Sequence, residues 1–198
     1  PDLSLAKDWE TNSPALLWRK PIGESWSGFA ISGPYAVTQE QSGEEELVSC
    51  YNLVSGELIW QESNSARYDN PLGGVGPRAT PAIDGDRVYT VGGLGFVACR
   101  ELATGAERFS FNLLESNDAP LPDWGVAGSP LIHDGLLILN AGGSDGRTLV
   151  AYDKLTGTEV WSGGDDKAHW SSPVAFEVHG ETQFLIFNRG GVSAHSPE

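Results

Sequence analysis

Short segments with a two-residue period, each followed by turn residues, recur along the chain. Residues 149–161 show this pattern most clearly. From Leu149 to Asp153 the period is two residues, which predicts a β-strand. Residues 153–157 predict a tight turn, because Asp and Thr side chains bond turn amides and Gly accepts a positive φ without steric cost. Residues 158–161 return as an antiparallel strand. The segment is therefore predicted to be a β-hairpin that ends in Trp161, its largest apolar side chain.

This hairpin unit occurs three times in the chain. Residues 47–60 and 97–109 are the two earlier copies, and each reads as a strand, a turn closed by Gly and a second strand that ends in an aromatic residue. The turn glycines Gly56, Gly105 and Gly157 recur at intervals of 49 and 52 residues. A regular interval of this length predicts a repeated structural unit.

A second landmark precedes each later hairpin, namely a hydroxyl residue followed by proline: Thr80-Pro81, Ser129-Pro130 and Ser172-Pro173. An apolar stretch, a turn that contains Gly and another β-rich run follow each of these pairs. Each period thus holds about four short strands, and a four-stranded repeat of roughly 40–50 residues is the signature of a propeller blade. We therefore predict an all-β fold, a β-propeller of four-stranded antiparallel blades with about four blades in this chain.

The repeats divide the chain into an irregular leader over residues 1–13 and propeller repeats over residues 14–198. The predicted blades cover approximately residues 26–60, 78–111, 125–161 and 170–196. The sequence of the fourth blade accounts for only three strands. Trp18 matches the aromatic residue that ends each hairpin, so residues 15–19 are predicted to be an outer strand that closes the ring.

Three assemblies are compatible with this division. The favoured one is half of a ring of seven or eight blades. The others are a closed ring of four blades, and a homodimer in which two chains complete one ring through strand pairing at their edges.

Composition narrows the classes of partner. The chain has 12 Lys and Arg against 27 Asp and Glu, a net charge of −15. Nucleic acids and anionic membrane surfaces are therefore not expected as partners. No apolar run approaches the roughly 18 residues of a membrane span. The chain begins at Pro1 without Met or a signal peptide, which leads us to expect an upstream signal that has been removed and a periplasmic or secreted location.

The two cysteines are predicted to be buried and unbridged. Cys50 and Cys99 are 49 residues apart, the interval of the glycines, so they occupy equivalent places in neighbouring repeats, where Ala151 stands in the third. Equivalent positions in adjacent blades lie too far apart for a disulfide, whose Cα atoms come within about 7 Å. Small buried residues are the interpretation that follows.

The repeats resemble those of the quinoprotein alcohol dehydrogenase-like β-propellers, whose motif is Ala-x-Asp-x-x-Thr-Gly-x-x-x-Trp. Residues 151–161 match it at every fixed position. The first repeat departs from the motif at Cys50, Asn52 and Ser55, and the second departs at Cys99, Glu101 and Phe109. The resemblance implies that the motif residues are structural, with the aromatic residue docking one blade on the next: Trp18, Gly56, Trp60, Gly105, Phe109, Asp153, Thr156, Gly157 and Trp161.

An enzymatic function is the first hypothesis that the resemblance implies. The pyrroloquinoline quinone dehydrogenases of this superfamily hold the quinone and Ca²⁺ with Glu, Asn and Asp, stack the quinone on a Trp and often carry adjacent Cys residues. This sequence has no adjacent Cys pair. Candidate stacking residues are Trp26, Trp124 and Trp170, although packing between blades or exposure in a loop is the favoured explanation of these aromatics. Candidate Ca²⁺ ligands are Asp123, Asp165 and Asp166, which lack an ordered spacing and are more typical of solvated loop carboxylates.

A non-catalytic binding module is the second hypothesis, because the same superfamily includes the scaffold lipoprotein of the outer-membrane β-barrel assembly machinery. Propeller loops around the axial mouth are where function concentrates. Aromatic residues with an Arg are typical of a protein interface or of a site that stacks a sugar. The candidate ligand-binding residues in the axial loops are Trp26, Arg78, Trp124, His169 and Trp170.

Hydrolysis, zinc chemistry and phosphate binding have less support. His133 lies beside a turn Asp and His179 precedes a turn Gly, and neither has a nucleophile at a meaningful spacing. The four His residues show no zinc-binding spacing. The Gly-rich residues 73–77 lack the Lys-Ser/Thr pair and the helix of a P-loop. The sequence therefore predicts a binding or scaffold propeller of the bacterial cell envelope for a protein or carbohydrate ligand, with no cofactor or metal, and a quinone dehydrogenase fragment as the alternative.

Overall fold

Four antiparallel sheets follow one another along the chain, and each is built from strands that are consecutive in sequence. The computed structural model describes residues 8–197, so residues 1–7 of the predicted leader and Glu198 lie outside the described residues. Three of these sheets have four strands and the last has three. The prediction of an all-β propeller with four-stranded antiparallel blades is confirmed, and about four blades are present. The size of the complete ring stays a prediction.

The first sheet contains four strands in sequence order and is followed by a short two-stranded hairpin. Its last strand continues past residue 60, because the pairing with the third strand extends to the acidic turn at its far end. The strands are β1 (Ala30–Ser32), β2 (Tyr35–Ser42), β3 (Glu45–Asn52) and β4 (Leu58–Ser65), and the hairpin consists of β5 (Asp69–Asn70) and β6 (Gly74–Val75).

The second sheet has the same order, with its first strand innermost. A single helical turn, α1 (Leu113–Ser116), follows it where the sequence pattern indicated only a long loop. The turn forms because the side chain of Asn112 accepts hydrogen bonds from the backbone N–H of Leu114 and Glu115. The strands are β7 (Ala82–Asp84), β8 (Arg87–Val91), β9 (Phe96–Glu101) and β10 (Glu107–Asn112).

The third and fourth sheets continue the series. The third has four strands and the fourth has three, all paired antiparallel with their sequence neighbours. The strands are β11 (Leu131–His133), β12 (Leu136–Asn140), β13 (Leu149–Asp153) and β14 (Glu159–Gly163), then β15 (Val174–Val178), β16 (Glu181–Asn188) and β17 (Gly191–His195).

The repeated turn shows why the motif combines Asp, Thr and Gly. Oδ1 of Asp153 accepts hydrogen bonds from the backbone N–H of Thr156 at 2.8 Å and of Leu155 at 2.9 Å, and from the Thr156 hydroxyl at 3.0 Å. These bonds, led by the one from the Thr156 amide, lower the pKa of Asp153. Gly157 closes the turn with a φ of 73°, a conformation that glycine adopts without steric cost.

Aromatic rings dock each blade on the turn of the next. The indole N–H of Trp60, on β4, donates to the Leu102 carbonyl in the second blade at 2.8 Å. A Cβ atom added to Gly105 would lie 2.8 Å from Cδ2 and Cε3 of this indole, so the ring occupies the space that any other residue would need. The same arrangement pairs the ring of Trp18 with Gly56 and that of Phe109 with Gly157.

Trp161 is the last of these aromatic residues, and it faces the fourth sheet. Its ring lies 5.9 Å from that of Phe184 on β16, with the two planes inclined by 22°. Within residues 8–197 no acceptor bonds its buried indole nitrogen, in contrast to the indole nitrogens of Trp18 and Trp60.

The N-terminal segment carries Trp18 to the first blade without forming a strand. Residues 15–19, predicted as a closing outer strand, pair with no strand in the described part of the chain. The indole N–H of Trp18 donates to the Leu53 carbonyl at 2.9 Å, which parallels the bond made by Trp60. Ring closure through this segment, and a homodimer that completes the ring, stay predictions.

A ladder of hydroxyl groups joins the inner ends of the four blades. Gly28 N–H donates to the Thr80 hydroxyl at 3.0 Å, Thr80 N–H donates to the Ser129 hydroxyl at 2.9 Å, and Ser129 N–H donates to the Ser172 hydroxyl at 2.9 Å. Each hydroxyl of the Thr/Ser-Pro landmark thus satisfies a backbone donor of the preceding blade. The Thr/Ser-Pro pairs therefore lie where neighbouring blades meet.

Both cysteines are buried and free, as predicted. Cys50 packs in the cluster between the first and second blades, and Cys99 packs in a second cluster that reaches the third blade. Burial raises the pKa of the Cys50 thiol to about 11 and also raises that of Cys99.

A buried carboxyl group joins the first blade to the second. Oε1 of Glu46, on β3, accepts a hydrogen bond from the backbone N–H of Gly93 at 2.8 Å. Burial raises the pKa of Glu46 above its usual 4.5, although the Gly93 bond opposes this shift. The folded protein therefore holds this proton more tightly than the unfolded chain. The contribution of Glu46 to stability is greatest below pH 4.5 and is lost as pH rises through the raised pKa.

Glu46→Gln is expected to raise the free energy of unfolding at neutral pH, because the amide oxygen still accepts from Gly93 while no charge is buried. The gain is about 1.4 kcal/mol for each unit by which burial raises the pKa. Urea unfolding of both proteins between about pH 4.5 and about pH 8 measures it, and the difference should grow as pH rises. Glu44→Gln, in an exposed turn, is the control. A difference that does not change with pH would contradict the prediction.

Candidate functional site: an aromatic face where the four blades meet

Four residues in equivalent positions of the four blades line one cavity. Arg78, Ala127 and Trp170 each lie two residues before a hydroxyl of the ladder, and Trp26 lies two residues before Gly28. The cavity has a volume of about 420 Å³ and is lined by Trp26, Leu72, Gly73, Arg78, Trp124, Ala127 and Trp170. The side chains of Trp26, Leu72, Arg78, Trp124 and Trp170 are referred to below as the aromatic face.

Backbone carbonyls fix the guanidinium group of Arg78. Its Nη1 donates to the Gly76 carbonyl at 2.6 Å, and its Nη2 donates to the carbonyls of Gly73 at 2.5 Å and Gly74 at 3.1 Å. The group also lies 4.5 Å from the centre of the Tyr68 ring. Partial burial lowers the pKa of Arg78. No carboxylate of residues 8–197 forms an ion pair with this cation, so the groups that hold it are neutral.

Three aromatic side chains stack beside the cavity. The rings of Trp124 and Trp170 are 4.2 Å apart and inclined by 18°, and the His169 ring lies 4.7 Å from Trp170 at 15°. Two bonds to a backbone carbonyl hold the Trp124 loop, because Tyr68 Oη and Asn70 Nδ2 donate to the Asp123 carbonyl at 3.0 and 2.8 Å.

The aromatic face presents large apolar side chains to solvent. Leu72, at the tip of the β5–β6 hairpin, is 88% exposed and Trp26 is 68% exposed. Apolar side chains grouped around a fixed cation are the usual composition of a binding site. The five residues predicted from the axial loops thus come together, with Trp26, Arg78, Trp124 and Trp170 lining the cavity and His169 stacked behind Trp170.

The model of the family described as outer membrane protein assembly factor BamB matches residues 44–198. The chain belongs to this family. A comparison with curated protein sequences finds no significant match. Among the described residues of this BamB-family chain, no helix is both long enough and apolar enough to cross a membrane.

Solved structures share the fold of this BamB-family chain at low sequence identity. A europium-containing methanol dehydrogenase is 17% identical with a TM-score of 0.51, and 71% of this chain covers 25% of that one. The quinohemoprotein alcohol dehydrogenase from Comamonas testosteroni is 20% identical with a TM-score of 0.52, and 71% of this chain covers 21% of it. The computationally designed Ika4 protein is 14% identical with a TM-score of 0.57, and the coverage is 90% of this chain and 99% of that one. The chain therefore spans a quarter or less of the two dehydrogenases.

Four of the candidate stacking and Ca²⁺-binding residues are engaged by groups of this chain and do not fit the quinone and Ca²⁺ that the sequence resemblance implied. At 4.2 Å, Trp124 and Trp170 are in direct contact and leave no slot for a planar ring between them. The candidate Ca²⁺ ligand Asp165 accepts a hydrogen bond from Gly146 N–H at 2.8 Å. Both oxygens of Asp166 also accept from backbone N–H groups. Within residues 8–197 no group of three or more His, Cys, Asp or Glu residues is arranged to hold a metal ion.

Three residues of the cavity, Leu72, Gly73 and Ala127, were missed by reasoning from the sequence. Ala127 carries no chemical signal, but its place two residues before Ser129 was available from the repeat alignment. Leu72 lies in a loop between blades, where no repeat pattern assigns a position. It reaches the cavity because Asn70 Oδ1 accepts hydrogen bonds from the N–H groups of Leu72 and Gly73 and so shapes the hairpin tip.

Proposed function

We propose that this chain is a non-catalytic binding or scaffold module of the bacterial cell envelope, in the periplasm or secreted, and that it binds a protein ligand on the aromatic face. The observation that carries the proposal is the convergence of Trp26, Arg78 and Trp170, from equivalent positions of three blades, on one cavity. Exposed Trp and Leu side chains around a fixed Arg have the composition of an interface hot spot. The family description, an outer membrane protein assembly factor, supports an envelope location and a protein partner.

The stacking geometry favours a protein ligand over a carbohydrate. A sugar ring packs on an open aromatic face, but the ring of Trp170 already stacks on the rings of Trp124 and His169. Trp26 is the more exposed ring and is the basis of carbohydrate binding as a second candidate. Protein side chains, in contrast, fit between Leu72 and the ring edges, where they bury apolar surface.

Selection of a random peptide library displayed on phage tests this proposal. Peptides enriched on the wild-type chain are expected to lose at least about tenfold in affinity when Trp26→Ala and Leu72→Ser are combined, because hot-spot side chains contribute upward of about 2 kcal/mol each. Isothermal titration calorimetry measures the affinity. Trp9→Ala, which alters an exposed tryptophan outside the cavity, is the matched control. Enriched peptides that bind the double variant unchanged, or binding of a glycan array in their place, would contradict the proposal.

The quinone dehydrogenase alternative predicts a different result. Saturating pyrroloquinoline quinone with Ca²⁺ is expected to leave the melting temperature of this chain unchanged, because Trp124 and Trp170 close the slot that a planar ring needs. A ligand at 100 times its Kd would stabilise the folded chain by about 2.7 kcal/mol, which a thermal melt detects easily. Stabilisation that requires both the quinone and Ca²⁺ would favour the enzyme.

A further inference from the structure

A second cavity adjoins the aromatic face and shares Trp170 with it. Its volume is about 350 Å³, and Lys167, His169 and Arg189 bring basic groups to its lining. Pro120, Leu121, Pro122 and Asp123 also line it. The cavity lies where the loop before the third blade meets the loop before β15 and the turn between β16 and β17.

Hydrogen bonds to acidic and amide side chains connect the loop that carries Lys167 and His169 to the turn that carries Arg189. Asp166 accepts hydrogen bonds from the backbone N–H of Lys167 at 2.9 Å and of Gly190 at 2.6 Å. Oδ1 of Asn188 accepts from the His169 N–H at 3.0 Å and from Nδ2 of Asn140 at 2.8 Å. The backbone that carries Lys167, His169 and Arg189 is therefore fixed, while the cationic ends of Lys167 and Arg189 have no carboxylate partner within residues 8–197.

Five of the eleven Lys and Arg side chains in residues 8–197 have no carboxylate partner, and three of the five line the two cavities that share Trp170. Six of the Lys and Arg side chains in residues 8–197 form ion pairs with carboxylates. Lys167 and Arg189 do not, and Arg78 on the adjoining aromatic face bonds only to carbonyl groups and an aromatic ring. Asp123 is the carboxylate of the second cavity, and the oxygens of the neighbouring Asp166 are engaged by backbone amides.

We propose that Lys167 and Arg189 form a subsite that binds a carboxylate of the ligand, so that the preferred ligand is an acidic peptide with a large apolar side chain. This inference rests on the proposed function, since the apolar side chain occupies the aromatic face and the carboxylate occupies the adjoining cavity. Ammonium and guanidinium groups form charge-assisted hydrogen bonds to carboxylates, and the guanidinium can do so through two parallel bonds. Complementary charge also sets which partner is chosen and how fast it associates.

The test compares peptide pools selected from the phage library on three proteins: the wild type, the Lys167→Gln/Arg189→Gln variant, and the Arg19→Gln/Lys20→Gln variant. The last removes the same charge at two cations that also lack carboxylate partners within residues 8–197 but lie away from both cavities. Wild-type pools are expected to be enriched in Asp and Glu over the unselected library. The enrichment should vanish on the first variant and persist on the second, and a synthetic acidic peptide should bind the first variant at least about tenfold more weakly. Circular dichroism and melting temperature verify that both variants fold.

Three outcomes separate the subsite from the proposed function. Pools that converge on apolar peptides without acidic residues would overturn the carboxylate subsite and leave the proposed function intact. Acidic enrichment that is equal on wild type and the Lys167→Gln/Arg189→Gln variant would also overturn it. If no pool converges, the proposed function fails, and an NMR titration with glutarate tests the subsite by itself. Glutarate should shift the amide resonances of Lys167, His169 and Arg189. A shift no larger than the one caused by sodium chloride of equal ionic strength would overturn the subsite.

Discussion

Trp60→Ala is expected to lower the free energy of unfolding by about 3–5 kcal/mol, the usual cost of removing a buried tryptophan side chain. The indole is only 7% exposed and packs against Val37, Val88 and Leu102 between the first and second blades. Its loss also leaves the buried Leu102 carbonyl without the hydrogen bond that the indole N–H donates at 2.8 Å. Two blades would then meet across a cavity.

Denaturant unfolding followed by circular dichroism measures this effect. Trp60→Phe keeps an aromatic ring in the interface but removes the hydrogen bond and part of the ring contact, so its cost should exceed about 1 kcal/mol and stay below that of Trp60→Ala. Trp9→Ala, at a residue 57% exposed, should change the stability by less than about 0.5 kcal/mol. Equal stability of Trp60→Ala and Trp9→Ala would mean that the ring does not dock the blades.

Gly105→Ala is expected to cost about 2–5 kcal/mol for two physical reasons that add. The residue has a φ of 77°, where a Cβ atom costs roughly 1–2 kcal/mol. The new Cβ would also lie 2.8 Å from two ring atoms of Trp60, and overpacking of this kind costs about 1–3 kcal/mol. The substitution therefore strains the turn and pushes the aromatic ring out of the interface between blades.

Gly85→Ala is a matched control for this experiment. Gly85 has a φ of 58°, but a Cβ atom there would meet nothing within 4 Å. Its cost should be the backbone part alone, about 1 kcal/mol. Combining Gly105→Ala with Trp60→Ala should recover part of the loss, because the atoms that clash are then gone. Similar losses for Gly85→Ala and Gly105→Ala would refute the docking role of Gly105.

The strands could be predicted because their signals are local. The alternation from Leu149 to Asp153 and the turn chemistry of Thr156 and Gly157 act within one hairpin, and the hairpin recurs at a regular interval. The docking of Trp60 on the next blade follows from the same regularity, since equivalent residues in stacked repeats make equivalent contacts.

The loops could be predicted only in part, because their conformations depend on contacts between blades. The repeat alignment puts Trp26 and Trp170 in equivalent positions, but the direct stacking of Trp124 on Trp170 depends on the course of a long loop. The short helix α1 depends on the cap at Asn112, and Arg78 is fixed by carbonyl groups that no sequence pattern assigns to it. The position of a residue within its repeat therefore predicts whether it lines the cavity better than its residue type does.

The occlusion of the two native thiols has a practical consequence for probing the aromatic face. Cys50 and Cys99 are fully buried, and with the pKa of Cys50 at about 11 the reactive thiolate is scarce at neutral pH. A single cysteine introduced at Leu72 would thus be the one thiol of residues 8–197 open to a maleimide dye. Fluorescent reporters, spin labels and cross-linkers can be attached there without first removing either native cysteine.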